Sequence, residues 1–210
     1  MVAHLIVVQR AVRPDAQSLA MEDRAFPGIE GTFVHPFDDQ NFVTGNATIG
    51  LEILEDAPDV VAVIAAIGGG GLLTGLGSAV KALKPEVKVW GAEPETAAPG
   101  SLSFAKGSAQ TFTEWTQSFV DGAGGKSIFP RMWKRIQPIA DGSIVVSLKD
   151  TKQAMRLLAE KTRVIAEGAG ALSVAAALSG KAGRGPIVAV VSGGNIDLDK
   201  FYELISSDSD

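Results

Sequence analysis

Residues 60–83 read VVAVIAAI, GGGG, LLTGLGSAVKAL: an unbroken apolar run, four consecutive glycines at 68–71, and a stretch stopped by Lys84-Pro85. An apolar segment of strand length with no polar alternation is expected where both faces of a strand are covered, as in a parallel sheet flanked by helices. Leu72 to Leu83 predicts a helix that ends before Pro85, whose ring and missing N–H cannot continue it. Strand, glycine turn and helix together form the first half of a β-α-β unit. The four glycines also break the longest apolar stretch, Val60 to Leu76, so it is not read as a transmembrane helix.

Outward from this unit the same alternation recurs. Lys88 to Ala92 (KVWGA), Ile144 to Ser147 (IVVS) and Ile187 to Val191 (IVAVV) read as strands. Residues 44–57 (TGNATIGLEILEDA) read as a helix carrying Ile49, Ile53 and Leu54 and stopped by Pro58. Asp150 is expected to cap a helix running to about Ile165, with Gln153 completing a capping box. Glu167-Gly168-Ala169-Gly170 interrupts, and Ala171 to Leu178 forms an Ala-rich helix ended by Gly180. Asp197 and Asp199 open a last helix with Leu198, Phe201, Tyr202 and Ile205 on one stripe. The tail SSDSD is expected to fray. Nearer the start, Ala3 to Val8 and Thr32 to Pro36 read as strands and Ala16 to Phe26 as a helix. Residues 96–125, rich in Gly, Ser, Thr and Ala, read as irregular with room for one short helix. The expected fold class is α/β: a mostly parallel open sheet with helices on both faces.

Composition narrows the function. The chain has 210 residues, 46% of them apolar and 20% charged, enough for a packed core. A net charge of -5 and the lack of a basic stripe argue against nucleic acid as a partner. There is no cysteine, which excludes disulfides and thiolate metal sites. Met1 to Arg10 has no basic region before a short apolar run, so no secretory leader is expected, and a cytoplasmic location is the default.

Four segments invite a chemical reading. The tetraglycine follows a strand and opens a helix, where backbone N–H groups and the helix N-terminus make an anion cradle with no Cβ in the way. The dinucleotide fingerprint fails, since Gly69-x-Gly71 would need glycine at position 74 and finds Thr74. GAGGKS (122–127) fails as a P-loop because position 120 is Val120, leaving Lys126 as a solvated loop lysine. Ser192-Gly193-Gly194-Asn195 follows another apolar strand and reads equally as a plain turn or as a site loop. Glu167 sits at a helix break among small neighbours that leave room for a ligand. His4 and His35 are too few for a metal cluster, and His4 reads as structural. Asp38-Asp39 read as capping groups rather than an acid–base pair.

In order along the chain, six motifs stand out: His35-Pro36-Phe37-Asp38-Asp39, Gly45-Asn46-Ala47-Thr48-Ile49-Gly50-Leu51-Glu52-Ile53, Gly68 to Leu72, Gly91-Ala92-Glu93-Pro94, Glu167-Gly168-Ala169-Gly170-Ala171 and Ser192-Gly193-Gly194-Asn195. This order resembles the serine/threonine dehydratases and serine racemases, pyridoxal-phosphate enzymes of the tryptophan-synthase-β-like fold, over roughly residues 32–200. The resemblance implies that Gly68, Gly69, Gly70, Gly71 and Leu72 hold the cofactor phosphate through backbone N–H groups. It implies that Ser192 faces the pyridine nitrogen and that Glu167 lies near the ring. It further implies an amino-acid substrate, residues 1–44 being a remnant of a small domain and 45–210 an incomplete large one; the sheet strands missing from such a remnant would leave an open edge and exposed apolar surface, so a homo-oligomer is expected.

Departures from the family accompany the likeness. The family's lysine motif, Ser-Phe-Lys-x-Arg-Gly, belongs upstream of every matched segment and does not occur in these 210 residues. The substrate-carboxylate loop Ser-Gly-Asn-His is missing as well. The resemblance therefore implies an N-terminally truncated member whose catalytic lysine is unassigned, Lys81, Lys106, Lys126 and Lys149 being candidates by number only. Asn46-Ala47 stands where the family more often has Gln-Gly. Glu93 matches one ligand of the family's divalent-cation site, but Ala98-Pro99 stand where acids are expected, so Glu93 is read as a weak remnant and no metal is expected.

Overall fold

The computed structural model describes residues 33–206. The strand expected at Ala3 to Val8 and the helix at Ala16 to Phe26 lie outside them. Among the described residues, seven helices and four strands follow one another: α1 (Gln40–Asp56), β1 (Ala62–Ala66), α2 (Gly71–Leu83), β2 (Lys88–Pro94), α3 (Pro99–Lys106), α4 (Pro130–Ile136), β3 (Gly142–Val146), α5 (Leu148–Thr162), α6 (Gly168–Leu178), β4 (Ile187–Ala189) and α7 (Leu198–Ser206).

The strands form one parallel sheet in the order β3-β2-β1-β4. Every residue of β1 is buried, as its continuous apolar run requires. Its alternate residues feed two cores. Ala62, Ile64 and Ala66 face Met155, Leu158, Leu172, Phe201 and Leu204 of α5, α6 and α7. Val63 and Ala65, with Ile67 beyond the strand, face Ile53, Leu73, Leu76, Val80 and Ile136 of α1, α2 and α4. Helices α1 and α2 approach so closely that a Cβ on Gly75 would lie 2.4 Å from Val43 O, and one on Gly50 2.5 Å from Leu76 O.

The chain steps from β1 to β2 to β3 and then returns to place β4 on the other side of β1. The connection leaving β1 enters α2 on one face, while that leaving β4 enters α7 on the other. The two connections therefore part at the carboxyl ends of β1 and β4, the place where open α/β sheets bind ligands.

Several boundaries differ from expectation. Residues 33–36 form no strand. Helix α1 starts at Gln40 rather than 44, because the Asp39 carboxylate accepts from the N–H groups of Asn41 and Phe42. Asp39 is thus a cap, as the sequence suggests. The cap of α5 is Ser147, not Asp150: the Ser147 hydroxyl accepts from Asp150 N–H, so the box lies three residues earlier. That helix stops at Thr162, where Arg163 turns left-handed at φ 63°. Helix α6 begins at Gly168, so the glycines after Glu167 start the helix instead of interrupting it. Helix α4 lies outside every expected element; Pro130 at its first turn is its one local signal. On α7 the buried residues are Phe201 and Leu204, while Leu198 and Tyr202 are about 70% exposed, so the expected stripe is rotated.

Candidate active site

The tetraglycine lies at the carboxyl end of β1. Gly70, at φ 87°, reverses the chain into α2, a conformation that a Cβ would strain. Ile67 N–H donates to Ala92 O and Thr74 N–H donates to Gly70 O; between them, the N–H groups of Gly68 to Leu73 meet no backbone acceptor among the described residues. Gly70 and Gly71 are buried, Gly68, Gly69 and Leu72 half-buried. A row of unmatched donors at a helix N-terminus has the donor set of an anion site.

The space around this row is already full wherever a side chain would stand. A Cβ on Gly68 would lie 2.6 Å from Gly122 O, one on Gly69 2.0 Å from the Phe37 ring, and one on Gly70 2.4 Å from Ile136 Cδ1. A Cβ on Gly71 would meet Phe37 Cα and O at 2.8 Å. One or two glycines would serve a simple turn. Here each of the four is required by a contact of its own.

On the neighbouring strand, Ala189 of β4 pairs with Ile64, and Val190 N–H donates to Ile64 O at 2.9 Å. Ser192 follows two residues after Val190, past the end of β4. Ser192 is exposed. The turn that follows it is fixed by α6: Glu167 N–H donates to Gly193 O at 3.1 Å, and a Cβ on Gly170 would fall 2.2 Å from that same oxygen.

Glu167 is half-buried at the N-cap of α6, and its side chain makes no capping bond. A Cβ on Gly193 would lie 2.1 Å from its Oε1, and one on Gly122 3.9 Å away. Burial, with the nearby negative charge of Asp121 added, raises its carboxyl above the ordinary range. Gly122 thus touches both Gly68 and the neighbourhood of Glu167. In sequence its segment registers only as a failed P-loop, and this role goes unseen. No local pattern could have found it, since its contacts reach residues far away in the chain.

Glu93 departs from a metal ligand's arrangement. It is fully buried, and its two oxygens accept from Gly100 N–H and Ser101 N–H, each at 2.7 Å, and from the Ser143 hydroxyl at 2.6 Å. It closes the N-terminus of α3, where a negative charge is favoured. Among the candidate lysines, Lys81 binds Val87 O and Asp141 at the amino end of the sheet, away from the glycine loop. Lys126 stands over the Trp115 ring at 4.2 Å, on an exposed loop.

The comparisons with known proteins agree on one family. The family model described as pyridoxal-phosphate dependent enzyme matches residues 2–193, reaching further toward the start than the motifs do. The L-threonine ammonia-lyase of Thermotoga maritima is 39% identical over 175 residues, which are 83% of this chain and 43% of that protein. Among solved structures, a threonine deaminase of T.th. is 38% identical with a TM-score of 0.73, covering 79% of this chain and 62% of that one. A maize serine racemase is 29% identical with a TM-score of 0.75, covering 90% and 59%. The chain belongs to the family of pyridoxal-phosphate dependent enzymes. It spans about half the length of the curated relatives it matches.

Proposed function

We propose that this chain carries the cofactor-binding part of a serine/threonine dehydratase unit, which removes water from a hydroxy amino acid to give a 2-oxo acid and ammonia. The observation that carries this reading is the row of N–H groups from Gly68 to Leu73 that meet no backbone acceptor among the described residues, at the N-terminus of α2. Its donors suit a phosphate monoester. The names of the relatives, threonine ammonia-lyase and threonine deaminase, support the choice of substrate class.

Pyridoxal phosphate, when bound, supplies the electron sink that lets an amino acid lose its Cα proton. In this reading the N–H groups of Gly68, Gly69, Gly70, Gly71 and Leu72 hold the phosphate. The Ser192 hydroxyl takes the pyridine nitrogen. Being neutral, it does not force a proton onto that nitrogen as a carboxylate would, which suits an elimination that discharges charge quickly. Glu167 holds its proton to a higher pH than an ordinary glutamate and places it beside Gly193 and Gly122.

The lysine that anchors the cofactor and serves as base in the relatives is not assigned to any residue here. A positioned base is worth roughly 10²–10⁴ in rate. The isolated chain is therefore expected to bind better than it turns over. The competing reading, a binding or self-associating scaffold without chemistry, is favoured by the same missing motif. Serine racemisation uses a similar site and is the alternative reaction, as the racemase likeness indicates. Residues 1–44 count in this reading as a small-domain remnant and 45–210 as the large domain. Self-association is part of the proposal, since among the described residues β4 pairs only with β1 and is half-exposed. So is a cytoplasmic setting; among the described residues no helix is long and apolar enough to cross a membrane.

The test is to incubate the chain with pyridoxal phosphate, reduce with borohydride, and map labelled peptides by mass spectrometry, assaying 2-oxo acid release from threonine and serine alongside. One labelled lysine in high yield, with 2-oxo acid formed, supports the dehydratase. Reversible binding with no unique label and no product supports the scaffold. No binding at all sinks both.

A further inference from the structure

The tetraglycine loop is gripped from two sides by segments far apart in the chain. On one side the Phe37 ring lies against Gly69 and the Phe37 backbone against Gly71. On the other, Ile136 of α4 covers Gly70, with Met132 Cε 3.6 Å from the Cβ position there. One carboxylate joins the two walls. Asp38 Oδ2 lies 3.3 Å from Arg131 Nε, and Asp38 Oδ1 lies 3.6 Å from Arg135 Nη1. Arg131 and Arg135 stand four residues apart on α4 and so share one helix face. The Asp38 side chain is only 7% exposed, while Arg131 is 67% and Arg135 32% exposed, so the two arginines approach a buried carboxylate from the solvent side as ion pairs rather than hydrogen bonds. The segment is braced locally too, because His35 Nδ1 accepts from Phe37 N–H and Asp38 N–H. The rings of Phe37 and Phe129, just before α4, approach to 5.5 Å.

We propose that Asp38, clamped by Arg131 and Arg135, is a positioning residue for the glycine loop: the ion pair fixes the spacing of the Phe37 wall and the α4 wall, and thereby the affinity of the loop's N–H groups for a phosphate monoester. This rests on the reading of Gly68 to Leu72 as a phosphate cradle. The physical reason is that glycine has no side chain with which to hold its own conformation. A loop of four glycines would lose much entropy on ordering around an anion unless its neighbours order it beforehand. Moving the two walls apart would take the buried Asp38 carboxylate away from the cations beside it, a cost that opposes that movement.

The experiment measures the dissociation constant of pyridoxal phosphate, and of inorganic phosphate as a second probe, on the full chain at a temperature where every variant is folded by circular dichroism. Asp38→Asn is expected to weaken both ligands about tenfold, the scale of an ordinary coupling between sites. The double variant Arg131→Gln/Arg135→Gln should do the same, and it carries the test if Asp38→Asn does not fold. Arg135→Lys, which keeps the charge, should stay close to the parent chain, a rescue that mere loss of packing would not give. Unchanged affinity in Asp38→Asn or in the double glutamine variant overturns the clamp and leaves the cradle standing. A parent chain that binds neither probe overturns the cradle, and the clamp with it.

Discussion

Glu167 donates its backbone N–H to Gly193 O across 3.1 Å, while its carboxylate fills the space that a side chain on Gly193 would need. One residue thus ties the start of α6 to the turn after β4 through both its backbone and its side chain. Because Gly170 packs on the same Gly193 oxygen, the turn is held by backbone contacts that no larger residue can share.

The Gly170 and Gly193 contacts differ in what would have to move. A methyl at Gly170 would lie 2.2 Å from Gly193 O, a backbone atom with nowhere to go. Gly170→Ala should cost about 1–3 kcal/mol by overpacking, measured by urea unfolding. A methyl at Gly193 would lie 2.1 Å from Glu167 Oε1, the end of a flexible side chain. Gly193→Ala should cost less than about 1 kcal/mol, yet move Glu167 toward solvent and its titration back toward that of an ordinary glutamate. Carboxyl titration by NMR reads that second effect; an unmoved Glu167 in Gly193→Ala would contradict it.

Glycines outside the site should behave differently from those within it. Gly45, exposed within α1, has nothing within 4 Å of its Cβ position. Gly45→Ala should stabilise the chain by roughly 0.5–1 kcal/mol, because alanine loses less entropy in a helix. Gly70 sits at φ 87° with Ile136 Cδ1 2.4 Å from its Cβ position. Gly70→Ala should destabilise by at least roughly 1–2 kcal/mol from the left-handed backbone alone. Thermal melting of the two variants should move in opposite directions.

Two buried or partly buried carboxylates give stability opposite dependences on pH. Burial raises the Glu93 carboxyl above 4.5, and its hydrogen bonds from Ser143, Gly100 and Ser101 only partly offset this. The folded chain therefore keeps a proton that the unfolded chain releases. That contribution is full below the unfolded value and is lost as pH rises through the folded one. For Asp141, burial acts to raise the carboxyl, but hydrogen bonds from Lys81, Lys88 and Val89 N–H outweigh it and hold it below 3.8. Its contribution is present above the unfolded value and is lost as pH falls through the folded one. Urea midpoints should therefore fall on the alkaline side of about 4.5 less steeply in Glu93→Gln than in the parent chain. Asp141→Asn should flatten the loss on the acid side of 3.8. Identical profiles for parent and variants would refute both assignments.

The class of fold was legible because burial leaves a local trace. A strand covered on both faces must be apolar at every position, and Val60 to Ile67 is. Caps were legible in kind but not in place: both Ser147 and Asp150 can open a helix, and in the fold Ser147 does so, its hydroxyl accepting from Asp150 N–H. The stripe of α7 differs for a related reason. Leu198 and Tyr202 fit the helical period, but the neighbouring elements cover only the side that carries Phe201 and Leu204.

The sequence by itself determined the alternation of strands and helices, the glycines at 68–71 and the order of motifs that mark the family. These rest on backbone sterics and side-chain period, which act over a few residues. Only the tertiary structure decided that β4 lies beside β1, that Gly122 bridges Gly68 and Glu167, that Glu93 caps α3, and that Asp38 meets Arg131 and Arg135. Each of these joins residues distant in the chain. Such contacts depend on how layers stack and on which charges become buried, and no short stretch of sequence carries that information.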